Sequence, residues 1–210
     1  MKRNATRRLL TALLAAAMCL SLAACGSKPA ADNGSSDTDA SAGDNAARKY
    51  TIGVCQLVTH DALDAATQGF KDALTEKLGE GNVKFDEQNA SGDSANCTTI
   101  VSGFVSTGVD LILANATAPL QAAAQATADI PVLGTSVTDY ATALDISDWT
   151  GTVGNNISGT SDLAPLDQQA AMIQEMFPNA KTVGLLYCSA EPNSVYQCDV
   201  IEGYLTEMGL

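Results

Sequence analysis

The 210-residue sequence contains a single histidine, His60, and no pair of cysteines at C-x-x-C spacing. Zinc sites gather several Cys and His ligands, so we predict no metal site, and no cofactor motif is present. Basic residues are also scarce, with 11 Lys and Arg against 24 Asp and Glu. Nucleic-acid-binding proteins present a basic surface, so the composition excludes nucleic acid as an expected partner.

The apolar run at the amino terminus, residues 9–20, is shorter than the roughly 18 to 20 residues that a membrane-spanning helix needs. It follows four basic residues and leads into small residues that end at Cys25, which is the layout of a secretory signal peptide. Because "LAACG" resembles a bacterial lipobox, we expect residues 1–24 to be removed and Cys25 to carry lipid, including palmitate. Two acyl chains hold a protein stably at a membrane, so we expect an extracytoplasmic protein anchored to the outer face of the bacterial cell membrane.

Residues 25–49 contain no large apolar side chain and are rich in Ser, Ala, Gly, Asp and Asn. Such a segment cannot bury enough surface to fold, so it is predicted to be a disordered spacer. Without residues 1–24 the chain keeps 7 basic and 24 acidic residues, a net charge of −17. We interpret this acidity as a solubility feature.

From Tyr50 onward, short β-branched runs alternate with helical patterns, which predicts an α/β fold with a doubly wound parallel sheet. Asp61 is a plausible N-cap of the first helix and Gly79 its end. The predicted strands cover residues 50–58, 83–88, 108–116, 130–137 and 181–188. The predicted helices cover residues 61–78, 94–107, 165–176 and 194–208, with one more beginning near residue 117.

The loop-rich residues 139–162 separate two alternating blocks and predict a lobe boundary. The first α/β lobe is then residues 50–160, and residues 161–210 form a hinge and the beginning of a second α/β lobe. Because one strand cannot make a sheet, we interpret the chain as truncated. The alternative is a complete single domain whose fifth strand is residues 181–187.

Small hydrogen-bonding side chains follow each predicted strand, in "LVTHD", "QNASGD", "ANATAP", "GTSVTD" and "YCSAEPNS". Ligands of open parallel sheets bind outside the carboxyl ends of the strands. The five stretches together therefore predict a polar site for a small solute, although each alone is equally explained by capping of turns and helices.

In their order along the chain, "IGVCQLVTHDALDAATQGF", "VDLILANATAPLQAAA", "IPVLGTSVTD" and "NAKTVGLLYCSAEPNS" resemble the ABC-transporter substrate-binding lipoproteins of the tryptophan/tyrosine type. The resemblance covers residues 50–210. It implies a type I periplasmic-binding-protein fold, in which two lobes close over an amino acid, often aromatic. It also implies delivery of that ligand to the permease and ATPase subunits of an importer.

The resemblance directs attention to side chains that suit an amino-acid zwitterion, which needs donors for its carboxylate and an acceptor for its ammonium group. The helix start at Thr117 and Ala118 and the strand ends at Ser136 and Thr138 offer donors for the carboxylate. Asp162 offers an acceptor for the ammonium group. The residues Glu191, Asn193 and Ser194 match the family's Ser-Ser-Glu-Ala-Asn-Ser pattern. Cys188, Pro192 and Tyr140 depart from the family's usual residues. The predicted ligand-binding set is Gln56, His60, Asn89, Thr117, Ala118, Ser136, Thr138, Asp162, Glu191, Asn193 and Ser194, with His60 at the lip of the cleft.

Four cysteines remain after Cys25, and among their three pairings only Cys188 with Cys198 is local. That pair is a candidate disulfide, with free thiols as the alternative. Cys55 and Cys188 also raise the alternative of a two-thiol amino-acid racemase, but neither is flanked by a base. We therefore predict no enzyme and no catalytic residue. A ligand-sensing surface lipoprotein without transport is the remaining alternative.

Overall fold

The structure is a computed structural model that describes residues 48–210. The predicted signal peptide, Cys25 and most of the spacer lie outside these residues. The strands are β1 (Tyr50–Gln56), β2 (Val83–Asn89), β3 (Leu111–Asn115), β4 (Val132–Val137) and β5 (Ile157–Ser161). The helices are α1 (Asp61–Leu78), α2 (Ser94–Thr107), α3 (Thr117–Ala126), α4 (Tyr140–Ala143), α5 (Leu166–Met176) and α6 (Pro192–Glu207).

The five strands form one parallel sheet in the order β2-β1-β3-β4-β5. The chain therefore first adds a strand on one side of β1 and then crosses β1 to continue on the other side. Loops on either side of such a reversal diverge and leave a crevice at the carboxyl ends of the strands. The predicted doubly wound α/β fold is confirmed, and this edge of the sheet is where a ligand site belongs.

Alternate residues of β1 pack into two separate clusters on the two faces of the sheet. Cys55 belongs to the larger cluster, which includes Phe104 of α2 and Leu120 of α3. Val54 belongs to the smaller cluster, against which Phe70 of α1 packs. Successive side chains of a strand point to opposite faces, so α2 and α3 cover one face and α1 covers the other.

The N-cap of the first helix is one residue earlier than the sequence suggests. The N-cap is His60, whose Nδ1 accepts a hydrogen bond from the backbone N–H of Ala62 at 3.2 Å, so Asp61 is the first helical residue rather than the cap. Asp61 still contributes, because a carboxylate in the first turn interacts favourably with the helix dipole. The prediction that Gly79 ends the helix agrees with its position as C-cap at φ 88°.

Two predictions for the region after β4 are wrong. Residues 157–161, expected within a loop, form β5, which pairs with β4 at the edge of the sheet. Residues 181–188 were expected to be a strand but have no strand partner among the described residues, and Leu186 is fully exposed. A strand requires a neighbour for its backbone N–H and C=O groups, so the apolar pattern alone was insufficient. The alternative with residues 181–187 as fifth strand is wrong for the same reason.

Among residues 48–210, no helix combines the length and the hydropathy needed to cross a membrane.

Candidate functional site

A cavity of about 80 Å³ lies at the carboxyl edge of the sheet. Three helices begin around it: Gly92 and Ser94 belong to the start of α2, Ala116 and Thr117 to the start of α3, and Glu191 to the start of α6. Helix N-termini present backbone N–H groups without intrahelical partners. Their convergence makes the cavity a favourable place for a negatively charged group.

The α3 N-terminus has no side chain that satisfies its backbone donors. Its N-cap, Ala116, makes no capping hydrogen bond, whereas Asp93 caps α2 by accepting from the N–H of Ala95 at 2.8 Å. Thr117 and Ala118, the first two residues of α3, both line the cavity. Donors in the first turn of α3 are therefore available to a ligand in the cavity.

The α6 N-terminus adds a carboxylate to the same cavity. Glu191 is the N-cap residue, its side chain makes no capping bond to the backbone, and Pro192 occupies the first turn. The Glu191 carboxylate instead accepts a hydrogen bond from the hydroxyl of Ser194 at 3.1 Å. Asn193 also lines the cavity. The α6 side thus offers an acceptor opposite the donors of α3.

Of the five described non-glycine residues with positive φ, three lie at this edge of the sheet. Ser91, Ala116 and Ser136 have φ of 56°, 106° and 55°, values that glycine adopts readily and other residues rarely do. Ser136 lies in the irregular part of β4, where the pairing with β5 shifts register between Gly134 and Val137. Such conformations cost about 1–3 kcal/mol each and tend to cluster at ligand-binding sites.

A second cleft, of about 280 Å³, lies on the α1 face of the sheet and contains two of the predicted residues, Gln56 and Asn89. Gln56 is engaged in an internal network: its Oε1 accepts from the hydroxyl of Thr67 at 2.7 Å, and its Nε2 donates to Asp64. Asn89 accepts from the N–H of Ser91 at 2.8 Å, which stabilises the turn after β2. The structure therefore places both amides outside the cavity.

Asn115, at the end of β3, extends this network and is completely buried. Its Nδ2 donates to the carbonyl of Leu63 at 2.8 Å and to the hydroxyl of Thr67 at 2.9 Å. These bonds join β3 to α1 immediately before the strained Ala116. Asn115 was not predicted as a site residue, and we assign it a positioning role for the start of α3.

Of the eleven predicted residues, five line the cavity, one lies beside it and five lie elsewhere. Thr117, Ala118, Ser136, Glu191 and Asn193 line it. Ser194 lies beside it through its bond to Glu191. His60, Thr138 and Asp162 line none of the described cavities: His60 caps α1, the carbonyl of Thr138 accepts from Ser161, and Asp162 is exposed.

Sequence reasoning missed several residues that line the cavity. Gly92 and Ser94 lie in "QNASGD", and Ala190 lies in "YCSAEPNS", so the polar strand ends did identify the correct segments. Gln121 lies one turn into α3, and its Nε2 donates to the carbonyl of Ala143 at 2.9 Å. Gln121 is four residues after Thr117, a spacing that places both on one face of a helix, and this spacing could have predicted it.

Tyr140 supports the strands behind the site. Its hydroxyl occupies the space above Gly134 and Gly159, where any Cβ would collide with it, and donates to the carbonyl of Thr160 at 3.2 Å. Burial raises the pKa of Tyr140 to about 12. Tyr140, which departs from the family's usual residue, therefore packs β4 against β5.

Comparison with known proteins places these features in a family. A family model described as "ABC transporter substrate binding protein" matches residues 51–210. The chain belongs to this family. It is 40% identical over 159 residues to the tyrosine-binding protein of Clostridioides difficile strain R20291, covering 75% of this chain and 46% of that protein.

Solved structures agree with this assignment. An ABC domain from Streptococcus pneumoniae in complex with L-Trp is 36% identical, with a TM-score of 0.72 over 77% of this chain and 55% of that one. A conserved domain protein from Vibrio cholerae is 33% identical, also with a TM-score of 0.72, over 78% and 55% of the two chains. The fold is type I periplasmic-binding-protein-like, as predicted, and this ABC substrate-binding chain spans about half the length of its relatives.

The racemase alternative gains no support from the geometry. Cys55 is completely buried on the α2 face, Cys188 is exposed, and neither lines the cavity. The matching relatives are named as binding proteins, which fits the prediction of a non-enzyme. Cys188 and Cys198 are free thiols in the structure, so the predicted local disulfide is not formed there.

Proposed function

We propose that this protein captures an amino acid with an aromatic side chain and delivers it to the permease of an ABC importer. The observation that carries the proposal is the cavity between two helix N-termini without side-chain caps, one of which supplies a carboxylate. The relatives support the ligand class, since one is named for tyrosine and another holds L-Trp.

The ligand carboxylate is assigned to the start of α3. The backbone N–H groups of Thr117 and Ala118 lack side-chain partners there, and Ser136 can add a hydroxyl donor from β4. Bonds between a carboxylate and such donors are short and roughly twice as strong as neutral ones. This assignment also explains why a helix of ten residues begins at a strained alanine instead of Ser, Asp or Asn.

The ligand ammonium group is assigned to Glu191. The sequence suggested Asp162; both side chains are exposed, but only Glu191 lines this cavity. A carboxylate opposite the α3 donors matches the two charges of a zwitterion. Asn193, one turn into α6, offers an additional amide.

The ligand side chain requires the cavity to open. Binding pockets for small molecules usually measure about 300–1,000 Å³, and this cavity measures about 80 Å³. Leu57, Ala118 and Pro192 provide apolar surface on its wall. We propose that α6 moves away from α3 to admit the aromatic ring, in the manner of hinge closure between lobes.

We further propose that the protein is held at the outer face of the cell membrane by lipid on Cys25. The support is the lipobox-like sequence that follows the apolar run. Metabolic labelling with a palmitate analogue should label the chain and fail to label Cys25→Ser. Labelling of both would reject Cys25 as the attachment site.

The ligand assignment is tested by calorimetry with L-Trp, L-Tyr, L-Phe, L-Leu, glycine and ribose. Because the chain spans half the length of its relatives, the order of the affinities is the readout rather than their absolute values. Aromatic amino acids should bind most tightly. Binding of ribose with no binding of any amino acid would reject the proposal.

The role of Glu191 is tested by a matched pair of ligands. Glu191→Gln should weaken L-Trp about tenfold or more, since it removes the charge that faces the ammonium group. The same substitution should leave N-acetyl-L-Trp unchanged, because that ligand has no ammonium charge. Equal losses for both ligands would contradict the assignment.

A further inference from the structure

Two buried thiols lie in the packing of α2 against β1, and neither lines the cavity. Cys55 and Cys97 are both completely buried and belong to the same core cluster. Both are free thiols in the structure, and each is the largest influence on the pKa of the other. The two cysteines are 42 positions apart, so their proximity depends on how α2 packs against the sheet and has no local signal in the sequence.

The packing of α2 on β1 independently brings these two positions together. Gly53 and Cys55 are two apart on β1 and face the same side, while Cys97 and Phe104 are seven apart, two turns along one face of α2. A Cβ on Gly53 would lie 2.6 Å from the ring of Phe104. The helix runs opposite to the strand, so a Phe104 ring seated on Gly53 directs Cys97 toward Cys55.

We propose that Cys55 and Cys97 form a disulfide that joins the end of β1 to the first turns of α2. The sulfurs of a disulfide lie about 2.05 Å apart, so closing the bond requires side-chain rotation and a small approach of α2. Both β1 and α2 keep their packing neighbours when the bond forms. The proposal relies on the proposed function only for the natural source of an oxidant, since disulfides persist outside the cytoplasm.

The oxidant is a disulfide, either glutathione disulfide or a thiol-disulfide oxidoreductase. In the folded chain Cys55 lowers the pKa of Cys97, and Cys97 together with burial raises the pKa of Cys55. The attack takes place before both thiols are buried, so either cysteine can react first. Where Cys97 reacts first, its thiolate attacks glutathione disulfide, forms a mixed disulfide and releases one glutathione. Cys55 then loses its proton and attacks the Cys97 sulfur, which releases the second glutathione and leaves two thiols oxidised and one disulfide reduced.

The bond would act next to the cavity and on the stability of the domain. Cys55 lies two residues before Leu57, and α2 begins at Ser94; both Leu57 and Ser94 line the cavity. Closing a loop of about 40 residues restricts the unfolded chain, and for a domain of this size the loop-entropy relation corresponds to a rise in Tm of about 10 °C. The cross-link would therefore fix one wall of the site against the sheet.

The experiment refolds the full chain from denaturant in a glutathione redox buffer, because both thiols are inaccessible once folding is complete. Remaining thiols are blocked with N-ethylmaleimide in denaturant, and unreduced peptides are mapped by mass spectrometry. We expect a cross-linked peptide pair containing Cys55 and Cys97. Thermal unfolding with and without reductant should show the difference of about 10 °C.

Matched variants separate this bond from the local alternative. Cys97→Ala should lose the difference in Tm between oxidising and reducing conditions, and Cys188→Ser should keep it. Recovery of Cys55 and Cys97 as separate alkylated peptides from the wild-type chain would overturn the proposal, even if a variant fails to fold. Ligand affinities from the calorimetric panel are measured separately, so loss of the cross-link and loss of amino-acid binding are distinguishable outcomes.

Discussion

An aspartate in place of Ala118 should stabilise the protein and weaken its ligand, two effects of opposite sign from one substitution. Ala118 is the second residue of α3 and lines the cavity beside the uncapped N-terminus. A carboxylate there interacts favourably with the helix dipole and the unpaired N–H groups. It also occupies the position that we assign to the carboxylate of the ligand.

Both magnitudes follow from the position of Ala118. A carboxylate in the first turn contributes about 0.3–1 kcal/mol to stability, which corresponds to a Tm rise of about 1–4 °C for a domain of this size. Two carboxylates about 5 Å apart repel by about 1–3 kcal/mol at effective dielectric constants between those of water and a protein surface. Ala118→Asp should therefore bind L-Trp about 5- to 150-fold more weakly.

Ala118→Asn is the matched control, since it has nearly the same shape without the charge. Thermal unfolding without ligand and calorimetry with L-Trp are measured on all three proteins. The affinity difference between the Asp and Asn variants reports charge alone, and it should shrink as salt is added. Equal affinities for the two variants would show that no ligand carboxylate lies at the start of α3.

Three further predictions concern elements around the site. Ala116→Gly should raise the free energy of unfolding by about 1 kcal/mol by releasing strain at φ 106°, whereas Ala123→Gly inside α3 should lower it by a similar amount in urea titrations. Tyr140→Phe should flatten the pH dependence of stability in alkali. The folded-state pKa of Tyr140, about 12, exceeds the ordinary value of 10, so the wild-type protein loses about 2 kcal/mol of stability as pH rises from about 10 to about 12. An equally steep loss in the variant would reject this cause. His60→Ala should lower stability by about 0.5 kcal/mol through loss of the cap, His60→Ser should restore it, and calorimetry should show L-Trp and L-Leu affected equally.

Most strands and helices of the sheet domain could be predicted from local pattern, because they are bounded by Gly, Asn, Asp and Pro and their apolar spacing is regular. β5 was missed because "ISGTS" has little apolar character and its existence depends on pairing with β4. The opposite error was made for residues 181–188. Their apolar pattern favours a strand, but no neighbouring strand lies beside them in the described chain. Both errors concern tertiary pairing, which a local pattern does not contain.

The candidate site divides in the same way. The segments could be predicted, because the carboxyl ends of parallel strands meet at one edge. The individual side chains could not, because a polar residue at a strand end can serve a ligand, a cap or an internal network. Thr117 and Glu191 line the cavity. In contrast, His60 caps α1, and Gln56 accepts a hydrogen bond from Thr67 of α1.

The start of α3 combines three local features that each work against stability. Its N-cap is an alanine, its backbone is strained at φ 106°, and its first donors lack a side-chain partner. The helix is held instead by its buried face, where Leu120 and Ala123 are completely buried, and by the Asn115 bonds that fix the end of β3. A ligand carboxylate at this position would supply the missing cap, so binding energy and helix stability would be the same interaction. A ligand that binds only the folded chain raises its apparent stability with concentration, and Ala118→Asp should reduce that increment because the substituted carboxylate already satisfies the same donors.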